Sequence, residues 1–313
     1  MERTLPKIER FMTSLPFVKM HGLGNDFMMV EEDALHAVQG MMGCSFSGRS
    51  LPGSFVGALS DRHRGVGFDQ LIILSKARHD GLADRAIHIY NVDGSHAQTC
   101  GNALRCLGLW LYQQDGERHH VIETESALLD VEYHEGLVRV DMGRVRHDWR
   151  DIPMRDACDT QNLSFDVDGI DLGRGVAVNI GNPHVIFFTE DVKALPLSVI
   201  GERIGRDERF PDGVNIGVAR VIVRDEIYLR TWERGSGATQ ACGSNACACL
   251  VAASMTHQTD RRATIVMDGG RLDIEWLKDG HVMMRGDAAM SYRGVIDMEE
   301  AYYRLAIGGG HGT

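Results

Sequence analysis

"IHIYNVDGSHAQTCGNALRCLGLWLY" (residues 87–112) decides how this chain is read, because its plan occurs a second time. "IYLRTWERGSGATQACGSNACACLVA" (227–252) has the same order: a short apolar or alternating strand, a Gly/Ser turn, a Cys-Gly-polar triplet, and an apolar helical run. Asn91 stands nine residues before Cys100, and Glu233 nine before Cys242. Downstream, "ALLDVEYHEGLVRVDMG" (127–143) parallels "GRLDIEWLKDGHVMMRG" (270–286), each a strand, a charged-Gly turn and a second strand. The two cysteines are 142 residues apart, and Asp130 and Gly143 recur 143 residues on as Asp273 and Gly286. Upstream, "HGLGNDFMMV" (21–30) loosely resembles "VNIGNPHVIF" (178–187) around Gly-Asn.

Three parallels in one order, two of them at nearly equal spacing, imply duplicated halves. The expected division is an N-terminal half at 17–147 and a C-terminal half at 148–290. Residues 1–16 are expected to form a loose extension. In 291–313, SYRGVIDM is expected to return as a strand to the first half, before a flexible GGGHGT tail. From Ala103 to Tyr112 nearly every residue but Arg105 and Gly108 is apolar, and Ala246–Met255 is small or apolar almost throughout. A helix apolar all round is buried on all sides. The expected fold is therefore α/β of the α+β kind: two pseudo-symmetric domains, each a curved, mostly antiparallel sheet or barrel around a central buried helix. Residues 35–55, rich in Gly, Ser and Met, read as a long surface connection.

The 313 residues are 43% hydrophobic and 25% charged, which is ordinary globular composition and enough chain for two cores. A net charge of −11 without a dense Lys/Arg block argues against nucleic acid and anionic membranes as partners. No apolar run approaches the ~18 residues of a membrane span. The first residues lack the apolar core and cleavage site of a secretory signal. Seven cysteines, an odd number, fit a reducing cytoplasm better than a disulfide framework.

Cys100 and Cys242 each precede a Gly-polar pair that opens a helix. Unpaired N–H groups and a partial positive charge at such a start favour an anion there, so Gly101–Asn102 and Gly243–Ser244 are candidate carboxylate cradles. The same setting is expected to ease thiol ionisation. If the halves pack about a pseudo-twofold axis, two thiols flank one bound carbon. That arrangement suits inversion of a centre α to a carboxylate: one thiolate removes the proton and the opposing thiol delivers another. N–H groups aimed at the carboxylate stabilise the developing carbanion. No cofactor is expected; neither a dinucleotide-type Gly-rich loop nor a lysine context for pyridoxal phosphate is present. No metal is expected either, because C-x5-C and C-x4-C-x-C miss the usual zinc pairing. Cys106, Cys247 and Cys249 read as core, and Cys44 and Cys158 carry no pattern.

At these residues the chain resembles the diaminopimelate epimerase family. "MHGLGNDF", "DRHRGVGFDQ", "NVDGSHAQTCGNALRC", "NIGNPH", "GVNIG" and "ERGSGATQACGSNACA" follow in the family's order, from about Phe17 to Tyr292. The resemblance implies a cofactor-free two-cysteine isomerase that interconverts LL- and meso-diaminopimelate for lysine and cell-wall precursor synthesis, commonly as a homodimer. It implies Cys100 and Cys242 as the catalytic pair, with His184 and Glu233 supporting them. It implies substrate contacts from Asn25, Gln70, Asn91, Asn182, Asn215, Glu233 and Arg234, with Gly101–Asn102 and Gly243–Ser244 around the reacting carboxylate. Arg234 would hold the distal carboxylate. Ala103 and Asn245 stand where the family often has glycine, and Ala238 where glutamate is common. Two rivals remain open: another cofactor-independent racemase on the same fold, acting for instance on histidine, and a thiol-redox or metal-binding protein.

Overall fold

The computed structural model describes residues 14–42, 51–79, 81–97, 100–125 and 127–298. In the first half the elements are β1 (Ser14–Gly22), β2 (Asn25–Glu31), α1 (Glu32–Met42), α2 (Gly53–Ser60), β3 (Gln70–Lys76), β4 (Arg85–Asn91), β5 (His96–Ala97), α3 (Gly101–Asp115), β6 (His119–Glu123), β7 (Leu128–His134) and β8 (Leu137–Arg144). The second half has β9 (Gly175–Asn179), β10 (Pro183–Phe188), α4 (Leu197–Gly205), β11 (Asn215–Val223), β12 (Glu226–Glu233), β13 (Gly237–Thr239), α5 (Gly243–Met255), β14 (Arg262–Met267), β15 (Gly270–Trp276) and β16 (His281–Asp287). β17 (Ala289–Asp297) follows.

Strand pairing repeats from one half to the other. β1–β2, β3–β4, β4–β5, β6–β7 and β7–β8 pair antiparallel, while β2–β3 and β4–β6 pair parallel. Each has its counterpart eight strands later, with the same sense. The halves are joined through β8 and β16, which pair antiparallel, and β17 runs antiparallel along β1. The fold is thus the expected pair of pseudo-symmetric, mostly antiparallel domains.

Each half wraps its sheet around one helix. In α3 the side of every residue from Gly101 to Gly108 is buried, and in α5 so is every residue from Asn245 to Ala253. Both helices share one core with strands of both halves. Gly108 lets α3 approach the sheet: a Cβ there would lie 2.5 Å from Val131 Cγ1 and 2.8 Å from Val138 Cγ1. Helix α3 ends at Gly116 in the left-handed conformation, whose N–H returns to the Tyr112 carbonyl. Asn245 turns into the core, where its Nδ2 donates to the Ile216 carbonyl at 2.9 Å. Gly217 makes room for it, since a Cβ there would lie 2.6 Å from Asn245 Oδ1.

Two expectations need correction. The stretch 1–16 is not loose throughout: Ser14, Leu15 and Pro16 belong to β1, opposite Asp297, Ile296 and Val295. Leu15 is buried, and that burial draws the strand onto the body. Residues 1–13 and the tail lie outside the described residues. Nor is 35–55 a plain connection. It contributes most of α1 and the start of α2, because Leu35 and Val38 share a helix face that packs into a side core with Phe55 and Val56. Residues 43–50, including Cys44, lie outside the described residues.

Candidate active site

A cavity of about 580 Å³ opens where the N-termini of α3 and α5 meet. Both helices begin after an extended cysteine, Cys100 at φ −139°, ψ 105° and Cys242 at φ −135°, ψ 117°. The same local sequence has produced the same cap geometry twice. The helix starts are neighbours through Met284: a Cβ on Gly101 would lie 2.7 Å from its Cε, and one on Gly243 2.8 Å from its Sδ. Glycine at both positions lets the two backbones close on this one side chain.

Both Cys100 and Cys242 line the cavity, together with Gly101, Asn102, Gly243 and Ser244. Asn25, Gln70, Asn91, Asn182 and Glu233 line it as well. Ala238 is on its wall, whereas Ala103 and Asn245 are buried in the core beneath.

Asn25 is delivered by the two-residue turn between β1 and β2. Leu23 (φ 57°) and Gly24 (φ 85°) both take the left-handed conformation, which suits a tight hairpin. Asn25 Nδ2 donates to Asp69 Oδ2 at 2.9 Å, and its Oδ1 accepts from Asn102 Nδ2 at 3.1 Å. Because a carboxylate only accepts, Asp69 fixes which end of the amide faces the thiol. The Cys100 Sγ lies 3.8 Å from that Oδ1. Asp69 is held by Arg62 at 2.7 Å, and Arg62 forks onto Asp26 through two 2.8 Å bonds. Lys19 pairs with Asp26 at 2.6 Å and with the Gly67 carbonyl. Burial would raise the Asp26 carboxyl, but hydrogen bonds and charge from Arg62 and Lys19 hold it down at about 2. Next to Asp69, Gln70 Nε2 donates to Asn91 Oδ1 at 2.9 Å, and Asn91 Nδ2 to Ser95 Oγ at 3.0 Å.

The thiols overturn one expectation. Helix starts were expected to ease their ionisation, yet burial outweighs the backbone N–H groups of Asn102 and Ala103 at Cys100 and of Asn245 at Cys242. Burial pushes Cys100 up to about 11, more than nearby backbone N–H groups draw it down. Cys242 is raised well above the ordinary thiol range, first by burial and then by the charge of Glu233. The Ser244 hydroxyl lies 3.5 Å from its sulfur. Glu233 is itself raised by burial, although it accepts a 2.5 Å bond from Thr239 Oγ1.

Three anticipated residues do not line the cavity. His184, on β10, is wholly buried behind Asn182, with 2.7 Å between its Nε2 and Asn182 Oδ1. Burial, with a smaller contribution from Arg234, presses it down to about 3, so it is neutral. Asn215 spends its amide on the backbone. Its Nδ2 donates to the Pro183 carbonyl at 3.2 Å, and its Oδ1 accepts the Arg234 N–H at 2.8 Å. The Arg234 side chain is exposed and donates to the Asp212 carbonyl, away from the cavity wall. Among the described residues the guanidinium on the cavity wall is that of Arg62. Arg62 and Asp69 lie within the quoted DRHRGVGFDQ motif, and that motif was the available signal for them. Gln240 and Thr239 also lie on the wall, just ahead of Cys242.

A family model described as diaminopimelate epimerase matches residues 17–147 and 176–291. A diaminopimelate epimerase of Acidiphilium cryptum is 41% identical over 283 residues, covering 90% of this chain and 96% of that one. One from Rhodospirillum centenum is also 41% identical over 283 residues, covering 90% of this chain and 91% of its own. Among solved structures, a hydroxyproline epimerase from Agrobacterium vitis superposes with a TM-score of 0.61 at 13% identity, covering 92% of this chain and 93% of that chain, a likeness of fold alone. With two cysteine-capped helices on one cavity and a family match that spans both halves, the chain belongs to the diaminopimelate epimerase family.

Proposed function

We propose that this chain interconverts LL- and meso-diaminopimelate by proton transfer between two thiols at one α-carbon. The carrying observation is that Cys100 and Cys242 cap matching buried helices and line the same cavity. A cavity of about 580 Å³ suits a small amino-acid substrate. The reacting carboxylate sits over the N–H groups of Gly101–Asn102 and Gly243–Ser244, where the partial positive charge of two helix starts stabilises it as the α-carbon becomes a carbanion.

Burial favours the protonated form of both thiols, so the base forms as substrate binds. Its ammonium group brings a positive charge that favours a thiolate there. Glu233, raised by burial beside Cys242, is placed to receive that thiol's proton. The thiolate takes the α-proton from one face and the opposing thiol supplies one to the other. Reversal exchanges their roles, and no cofactor enters the proton balance. Asn25, Gln70, Asn91 and Asn182 offer amide groups to the rest of the substrate without adding charge. For Arg234 to hold a distal carboxylate, its guanidinium must leave the Asp212 carbonyl and turn inward. His184 and Asn215 act from behind the wall, through Asn182 and the Glu233–Arg234 backbone. A homodimer in the cytoplasm belongs to the same reading, and sedimentation of the purified chain tests the dimer.

The direct test is α-deuterium incorporation in heavy water. LL- and meso-diaminopimelate should both exchange, whereas histidine and proline should not. Exchange of a single-ended amino acid in place of diaminopimelate would refute the assignment.

A further inference from the structure

Arg105 is a fully buried guanidinium in the middle of the paired helical core. Its position in α3 corresponds, at the 142-residue offset of the cysteines, to Cys247 in α5, so the duplicated helices differ here by one cation. The side chain crosses the boundary between the halves. Nε donates to the Asp287 carbonyl at 3.0 Å, and Nη1 lies 3.4 Å from Met284 Sδ. A Cβ on Gly22 would come within 2.9 Å of Nη2, which has no hydrogen-bond partner among the described residues. Met284, which underlies both Gly101 and Gly243, thus separates this guanidinium from the two helix starts.

Among the described residues no carboxylate hydrogen-bonds to Arg105. The titratable groups facing it are Cys100 and Cys106 from its own helix, Cys247 from α5, and Asp287 on β16, an exposed residue. Glu233, from β12, acts on Cys100 in the opposite sense. A buried cation without a counterion is strongly unfavourable, and arginine does not escape by losing its proton. Its missing negative charge is available next door whenever a thiolate forms or a carboxylate docks at the helix starts.

We propose that Arg105 is a positioning residue of this site: a permanent cation behind the two helix starts that stabilises the Cys100 thiolate and the anionic substrate. The catalytic consequence rests on the two-thiol reading, but the effect on Cys100 exists without substrate. The test is the rate of Cys100 alkylation by iodoacetamide, followed by peptide mass spectrometry at pH 8.5 in the substrate-free protein, where the rate tracks the thiolate fraction. Arg105→Gln, which keeps a hydrogen-bond donor but no charge, should react about tenfold more slowly than wild type, equivalent to one pKa unit. Arg105→Lys should stay within about twofold, as retained charge requires. Equal rates in all three proteins, or equal slowing in both variants, would overturn the proposal. If Arg105→Gln does not melt cooperatively, Arg105→Lys decides: a wild-type rate supports the role of charge, and a tenfold loss removes it. Failure of deuterium exchange in wild type would sink the epimerase reading and leave this alkylation result intact.

Discussion

A cysteine at a helix start feels two opposed influences, the partial positive charge of the helix and the loss of water around sulfur. Here the second is larger, and it holds Cys100 at about 11. The consequence is a site whose thiols become reactive only when something changes their surroundings. Replacing either sulfur by oxygen removes a group that can carry the proton, since a serine hydroxyl is far less acidic than a thiol. Cys100→Ser and Cys242→Ser are each expected to lower kcat by 10²–10⁴-fold, the usual range for a lost general acid or base, with melting temperature near wild type. Full turnover in either variant would refute the two-thiol mechanism. At this scale the sequence was legible where chemistry repeats. The duplicated Cys-Gly-polar triplets identified both thiols, whereas Arg62 and Asp69 had no repeat to mark them. Arg234 could be located in sequence, but its present partner, a carbonyl some twenty residues earlier, could not be read there.

At the scale of elements, α3 and α5 were legible as buried because no polar stripe runs along them. The close approach of α3 to β7 and β8 depends on Gly108. Gly108→Ala gains helix propensity of about 1 kcal/mol. The added methyl nevertheless overlaps Val131 and Val138, and overpacking of this kind costs about 1–3 kcal/mol. A lower denaturation midpoint in urea, with unchanged slope, is the expected result; a rise would show that the valines yield freely. Helix α1 was missed for a physical reason. The Gly, Ser and Met content of its stretch reads as loop, whereas Leu35 and Val38 are buried because the helix packs back onto β1, β2 and β3, a contact that local composition does not display.

Across the whole molecule, stability and function meet at the boundary between the halves. The β1–β2 turn that presents Asn25 packs against the second half: a Cβ on Gly270 would lie 2.6 Å from Leu23 Cδ2, and one on Gly24 3.0 Å from Gln240 Oε1. Behind the opposite wall, His184 is buried and neutral. Its proton affinity falls from 6.5 to about 3 on folding, so the unfolded chain binds the proton more readily in that interval. The stability this group contributes is complete above pH 6.5 and is lost as pH falls toward 3. Asp26, lowered from 3.8 to about 2, adds a further loss below pH 3.8. The melting temperature should therefore decline on acidification from pH 6.5, and His184→Gln should flatten the upper part of that decline. An equally steep profile in the variant would assign it elsewhere.

The sequence by itself determined the duplication, the strand and helix order around each cysteine, and the place of Cys100 and Cys242 at two matching helix starts. Those properties are written in local spacing and hydrophobic period, which a linear chain displays directly. Only the tertiary structure decided that burial favours the protonated thiols, that Arg62 and Asp69 orient Asn25, that Arg234 points elsewhere, and that no carboxylate among the described residues hydrogen-bonds to Arg105. Each of these depends on which distant segments exclude water from a group and which leave it a partner. Solvation and charge are set by the packed assembly.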